Sequence, residues 1–157
     1  MRVRNNREQG ASAVEMAMVA PFLLILLLGI IEFGYVFGQY NEIRHAAREG
    51  ARFAAVSNED LNTDLTPGID ATDIKNTICG ALNLSNATIE IDVDLLGTTA
   101  IGQNAEVTVT AYINSLSGAP IISAFVPDDL TNTAVFRLEQ IASWSDQTFG
   151  SSSTSAC

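Results

Sequence analysis

Few side chains in this sequence have the type and spacing that catalysis or metal binding requires. The only histidine, His45, lies in an Arg-rich segment, and no serine or cysteine nucleophile matches it by any motif. We therefore interpret His45 as a histidine on a helix surface. Asp92 and Asp94 carry oxygen atoms of the kind that Ca²⁺ binds, but the glycine-containing ligand loop of a calcium site is missing. The sequence predicts no enzyme, no metal site and no cofactor.

Glu15 is the one charged residue in the run from Ala11 to Ile31. A carboxylate costs about 2.5–3.5 kcal/mol at the centre of a membrane helix and less near the interface. One interpretation is that the side chain reaches the cytoplasmic headgroups, since Glu15 lies near the predicted edge of the membrane. The other is an assembly contact, in which a partner compensates the charge. Gly10 precedes Glu15 by five residues, and this spacing is relevant to the choice between the two interpretations.

The apolar run around Glu15 is long enough to cross a bilayer. About 20 residues of helix span the hydrocarbon, and residues 13–33 provide that length. A cleaved secretory signal peptide has a similar start, but residues 32–35 are bulky where its cleavage site would have small residues. We therefore predict a retained single-pass anchor. Arg2, Arg4 and Arg7 precede the run, so the positive-inside rule predicts a cytoplasmic N-terminus and an extracytoplasmic remainder.

The charge of the chain argues against nucleic-acid binding. The formal net charge is −10, and of eight Lys and Arg residues only Lys75 and Arg137 lie beyond Arg52. Nucleic-acid binding requires clustered basic side chains that displace counterions from phosphates. We therefore predict no nucleic-acid partner.

The predicted helix continues past the membrane to residue 56, because residues 39–55 favour helix and contain no proline. Small residues recur along it at helical spacing. One interpretation is that they pack against the chain's own domain, and the other is that a neighbouring helix approaches closely. The residues concerned are Gly34, Gly38, Ala47, Gly50, Ala51 and Ala54.

The remaining residues alternate between apolar and polar in a way that predicts an α+β domain. Residues 57–68 read as a loop and residues 69–82 as one further helix. Strict alternation predicts strands at residues 89–95 and 107–113, and a looser one at 133–144. The expected architecture is a long N-terminal transmembrane helix followed by this helix and an antiparallel sheet of about three strands. The Ser-rich tail before Cys157 is predicted to be mobile.

The two cysteines, Cys79 and Cys157, would face an oxidising compartment in this orientation. An even number of cysteines there favours a disulfide, and the alternative is two free thiols. Closing so long a loop would stabilise the fold by about 4–5 kcal/mol on the chain-entropy model.

The N-terminal spacing resembles the processing site of type IV prepilins, in which a basic leader ends in glycine and glutamate follows at the fifth mature position. The resemblance implies that a prepilin peptidase cuts between Gly10 and Ala11. It also implies that Glu15 pairs with the freed N-terminal amine of a neighbouring subunit, which would neutralise a buried carboxylate.

A longer stretch, residues 10–52, resembles the TadE/TadG family of tight-adherence (Flp) pilus assembly proteins through GASAVE, APFL, GIIEFG and AAREGAR. The resemblance implies a minor pilin or pseudopilin of the bacterial inner membrane, with other pilin or pseudopilin subunits as partners. Major Flp pilins are much shorter, which favours an accessory subunit. The domain organisation that follows is a leader at 1–10, a membrane and extended helix at 11–56, and an extracytoplasmic domain at 57–157. The alternative function is a membrane-anchored binding module unrelated to a pilus.

Overall fold

The computed structural model describes residues 6–56, 70–84, 87–114, 116, 118, 126–142 and 144–157. Two helices and four strands occur in these ranges. They are α1 (Asn6–Ala55), α2 (Ala71–Ala81), β1 (Ala87–Leu95), β2 (Asn104–Ile113), β3 (Asp129–Arg137) and β4 (Gln147–Phe149). The predicted α+β class, with a long N-terminal helix and one further helix, is confirmed. The loop predicted at residues 57–68 lies outside the described residues.

The four strands form one antiparallel sheet in the order β3-β2-β1-β4. The register opposes Ile91 to Val109 and Val109 to Asn132. Because side chains alternate between the two faces of a strand, β1 and β2 bury their apolar residues on one inner face. The outer face carries the polar residues between them, as in an antiparallel sheet covered on one side only.

The core joins the inner sheet face to α2 and to the C-terminal half of α1. Ile43 of α1, Ile78 of α2 and Val107 of β2 are each fully buried. Helix α2 begins with a capping box, in which Asp70 and Asp73 each accept a hydrogen bond from the other's backbone N–H. The cap satisfies backbone donors that would otherwise lack a partner.

The contacts divide the chain into two compact units. One comprises Met1–Tyr35 with Ser115–Val126, and the other Val36–Asn114 with Pro127–Cys157. The predicted domain boundaries at residues 10 and 56 stay predictions.

The C-terminal third differs from the prediction in two ways. Strand β3 covers Asp129–Arg137 rather than residues 133–144, because the chain leaves the sheet after Leu138: Glu139 N donates to Ala55 O and Ala142 N donates to Thr99 O. The sheet also has a fourth strand, β4, which is too short to show an alternating pattern. In the tail, whose mobility stays a prediction, Ala156 N donates a hydrogen bond to Ile89 O over 2.7 Å.

Candidate assembly surface on the long helix

The N-terminal part of α1 presents apolar side chains all round. From Val14 to Phe33 the large hydrophobic side chains are each 43–75% exposed. Within the described residues, one helix, Gly10–Ala55, is long and apolar enough to cross a membrane. An apolar surface of this extent needs lipid or another apolar surface around it.

The predicted processing site and Glu15 lie on this helix. The bond between Gly10 and Ala11 is inside α1, which begins at Asn6, and both residues are exposed. A Cβ atom at Gly10 would meet none of the described residues within 4 Å. The Glu15 side chain is also exposed, and no hydrogen bond or ion pair joins it to another described residue. The cut and the assembly contact therefore stay predictions.

A second carboxylate, Glu32, has the opposite environment. Its side chain is 1% exposed, and its Oε1 atom accepts a hydrogen bond from the backbone N–H of Leu116 over 2.7 Å. No role was predicted for Glu32 from the sequence. The signal that could have found it is its position, since a charge at the end of an apolar run requires a compensating partner.

The six small residues proposed for helix packing fall into two groups. A Cβ atom at Gly34 or Gly38 would meet no other described residue within 4 Å, and both positions are exposed. By contrast, Ala47, Ala51 and Ala54 are 0–5% exposed. Open positions leave room for another helix, whereas buried ones are already in contact with their own chain.

Gly50 shows most clearly what the buried group contacts. A Cβ atom there would overlap Ile78 of α2 and would lie 3.7 Å from Val107 Cγ1 of β2. The absence of a side chain thus allows α1 to approach both elements closely. Ala47, Gly50, Ala51 and Ala54 pack against the chain's own domain, as in the first of the two interpretations.

A disulfide ties α2 to the end of the chain. Cys79 and Cys157 are bonded with an S–S distance of 2.04 Å and a Cα–Cα distance of 5.6 Å. Cys79 directly follows Ile78, the residue that fills the space above Gly50. The predicted disulfide is therefore present in the structure and holds α2 where it contacts α1.

The exposed side of α1 beyond the membrane run is basic. Arg44, Arg48 and Arg52 are exposed and recur every four residues, so they lie along one side of the helix. Arg52 pairs with Glu49 over 2.8 Å, and this hydrogen bond, with the arginine's charge, lowers the pKa of the Glu49 carboxyl. His45 is exposed on the same segment, as predicted for a surface histidine.

The outer face of the sheet is acidic. Glu90, Asp92 and Asp94 alternate along β1 with the buried Ile91 and Val93. Burial, and then the negative charges of Asp146 and Asp92, raise the pKa of the Asp94 carboxyl. Among the described residues, no group of three or more His, Cys, Asp or Glu side chains could hold a metal ion.

These features define a class: an α+β protein whose described residues include one apolar N-terminal helix of membrane-spanning length, as in single-pass membrane proteins. Residues 10–52 match the family model described as TadE-like protein, which confirms the predicted resemblance. The match is confined to α1 and includes no residue of the sheet. No curated protein and no solved structure matches the chain.

Proposed function

We propose that the protein is a minor pilin or pseudopilin that acts in assembly of a tight-adherence pilus through its long helix. The observation that supports this most strongly is that the family match and helix α1 cover nearly the same residues. The family match covers residues 10–52, and α1 covers Asn6–Ala55. The part of the chain that resembles a pilus protein is thus the helix whose first half is apolar and exposed.

In this proposal all copies lie in the bacterial inner membrane with the N-terminus in the cytoplasm. Arg2, Arg4 and Arg7 provide the basic flank that favours this orientation. Residues 57–157 then lie in the periplasm or outside the cell, where an oxidising environment maintains the disulfide. The segment of α1 that crosses the bilayer in this proposal comprises residues 13–33.

Glu15 is the proposed assembly contact. Its exposed carboxylate lies in the apolar half of α1, where a neighbouring subunit's N-terminal amine would neutralise it. Replacing Glu15 with Gln removes the charge and leaves the shape, so insertion should be unchanged while surface pili decrease.

The measurement is the number of pili per cell by electron microscopy, with membrane abundance followed by immunoblot. Glu139→Gln is the matched control, because Glu139 is exposed and lies outside α1. Unchanged piliation in the Glu15 variant, at normal abundance, would rule out the pairing role.

A prepilin peptidase is the proposed processing partner, acting between Gly10 and Ala11. Mass spectrometry of the protein extracted from cells that contain the peptidase should find a mature N-terminus at Ala11. A chain that still begins at Met1 in those cells would contradict cleavage, but it would leave the role of the helix open.

A further inference from the structure

The compact unit formed by Val36–Asn114 and Pro127–Cys157 has two charged faces of opposite sign. On the first face, α1 directs Arg44, Arg48 and Arg52 away from the core. Its core-facing residues include Ile43, Ala47 and Gly50, which are buried. The outward side of this helix is therefore the most basic surface that the described residues form.

The second face is the outer surface of β1, on the other side of the same two layers. Glu90, Asp92 and Asp94 point outward there, because Ile91 and Val93 between them fill the core. Glu90 accepts a hydrogen bond from the Tyr112 hydroxyl over 2.7 Å. Among the described residues, no ion pair joins any of these three carboxylates to a basic side chain.

Strand β1 runs in the same direction as α1, which determines how the two faces correspond. The start of β2 lies at the C-terminal end of α1, since Leu138 N donates to Gln103 O and Glu139 N donates to Ala55 O. Farther along β2, Val107 lies at Gly50. Thus β2 runs opposite to α1, and its antiparallel neighbour β1 runs with α1.

The charges on the two faces also lie at matching positions along the common direction of α1 and β1. Val93 pairs with Val107, which lies beside Gly50, so Val93 and Gly50 mark a common level. Along the helix, Arg52 lies about 3 Å above that level, and Arg48 about 3 Å and Arg44 about 9 Å below it, at 1.5 Å per residue. Along β1, Asp94 lies about 3.4 Å above it, and Asp92 about 3.4 Å and Glu90 about 10 Å below it.

We propose that copies of this chain associate side by side in the same orientation, with the arginines of α1 on one copy against the β1 carboxylates of the next. The expected pairs are Arg44 with Glu90, Arg48 with Asp92, and Arg52 with Asp94. The occupant of each face is a second copy, because the two faces are complementary in charge, in direction and in spacing.

Such a contact is heterologous, since each copy uses one face toward each neighbour. It needs no inverted copy, so it is compatible with chains that share one orientation in a membrane. The inference rests on that part of the proposed function and does not depend on cleavage or on Glu15. Arg48 and Asp92 form the middle one of the three pairs. This pair is the best one to test, because Arg52 already contacts Glu49 within its own chain.

Cysteine crosslinking of the full chain in its membrane tests the geometry. One tagged copy carries Arg48→Cys and a second, differently tagged copy carries Asp92→Cys. We expect a crosslinked dimer that contains both tags, and several-fold less dimer from either variant alone. The native cysteines are already paired, so they do not compete. Equal dimer from Arg48→Cys alone, or no dimer of any kind, would overturn the proposal.

Exchanging the charges of Arg48 and Asp92 tests the electrostatic part of the proposal. Association is measured with a chemical crosslinker that does not react with amines, or by sedimentation in detergent. Arg48→Asp and Asp92→Arg should each weaken association several-fold, and the double variant should restore it. Asp128→Arg is the matched control, because Asp128 is exposed and lies outside β1. An intact disulfide and an unchanged unfolding midpoint show that a variant is folded. If folded single variants associate like the wild type, or the double variant fails to recover, the proposal is wrong.

These outcomes are distinguishable from failure of the pilus role. Loss of piliation in the Glu15 variant with intact Arg48–Asp92 crosslinks would support both proposals. Crosslinks in a strain whose piliation is unaffected by Glu15→Gln would support the contact between copies and contradict the pairing role alone.

Discussion

The two halves of α1 differ in what surrounds them, although they belong to one unbroken helix from Asn6 to Ala55. In the first half the large apolar side chains are 43–75% exposed, whereas in the second half Ile43, Ala46 and Ala47 are fully buried. Both halves carry small residues at helical spacing. At Gly34 no described residue occupies the adjacent space, whereas at Gly50 that space is filled by Ile78.

This difference shows that small-residue spacing identifies a surface that something can approach closely, but not what approaches it. In the second half the partner is α2 and the sheet of the same chain. In the first half the apolar surface remains available for lipid or for a neighbouring subunit.

Removing the disulfide should have the largest effect, because it releases α2 from the end of the chain and thus loosens the contact at Gly50. The bond closes a loop with a sequence separation of 78. Replacing Cys79 and Cys157 together with Ser should lower the free energy of unfolding by about 4–5 kcal/mol on the chain-entropy model. Chemical denaturation of the full chain in detergent measures this change.

The matched comparison is the wild type under reducing conditions, because reduction breaks the same bond without a substitution. Its stability should fall to that of the double variant. A double variant as stable as the oxidised wild type would show that α2 is held by packing alone.

Gly50→Ala should break the close approach of the buried half. The new Cβ atom would overlap the side chain of Ile78, so either α2 shifts or Ile78 takes another rotamer. Overpacking of this kind typically costs about 1–3 kcal/mol. A lower midpoint of thermal unfolding would support this, whereas an unchanged midpoint would show that Ile78 moves without cost.

The sequence was sufficient for the elements that have a strong pattern. The apolar run predicted the membrane half of α1, and alternation at residues 89–95 and 107–113 predicted β1 and β2. It was insufficient where tertiary contacts decide: β4 is three residues long, and the tail is held by Ile89 O rather than by its own pattern.

The candidate site shows the same limit. The spacing of small residues could not distinguish Gly34 from Gly50. What distinguishes them is the contact of Gly50 with Ile78, which is 28 residues farther along the chain. Glu32 was missed for a similar reason, since its partner Leu116 is 84 residues away. Neither separation leaves a signal in local periodicity.

Gly38→Ala is the counterpart of Gly50→Ala at an open position. A Cβ atom there meets no atom of the described part of the chain within 4 Å, and alanine loses less conformational entropy than glycine in a helix. We expect the free energy of unfolding to rise by about 0.5–1 kcal/mol. A lower thermal midpoint for this variant would mean that the surface at Gly38 is not open in the folded protein.

Asp94→Asn should have the smallest effect, and that effect should depend on pH. Burial and the charges of Asp146 and Asp92 raise the pKa of Asp94 in the folded chain above its ordinary value of 3.8. Below that ordinary value Asp94 is protonated in both states and adds no difference. As the pH rises through the raised pKa, the folded chain must ionise Asp94 against these charges, so the wild type loses stability relative to the asparagine variant.

The thermal midpoint of Asp94→Asn should therefore exceed that of the wild type at pH 7, and the two should converge near pH 3. Asp128→Asn makes the same change in net charge at an exposed position and serves as the control. A gap between Asp94→Asn and the wild type that widens toward low pH would contradict the raised pKa, because the sign of the linkage would then be reversed.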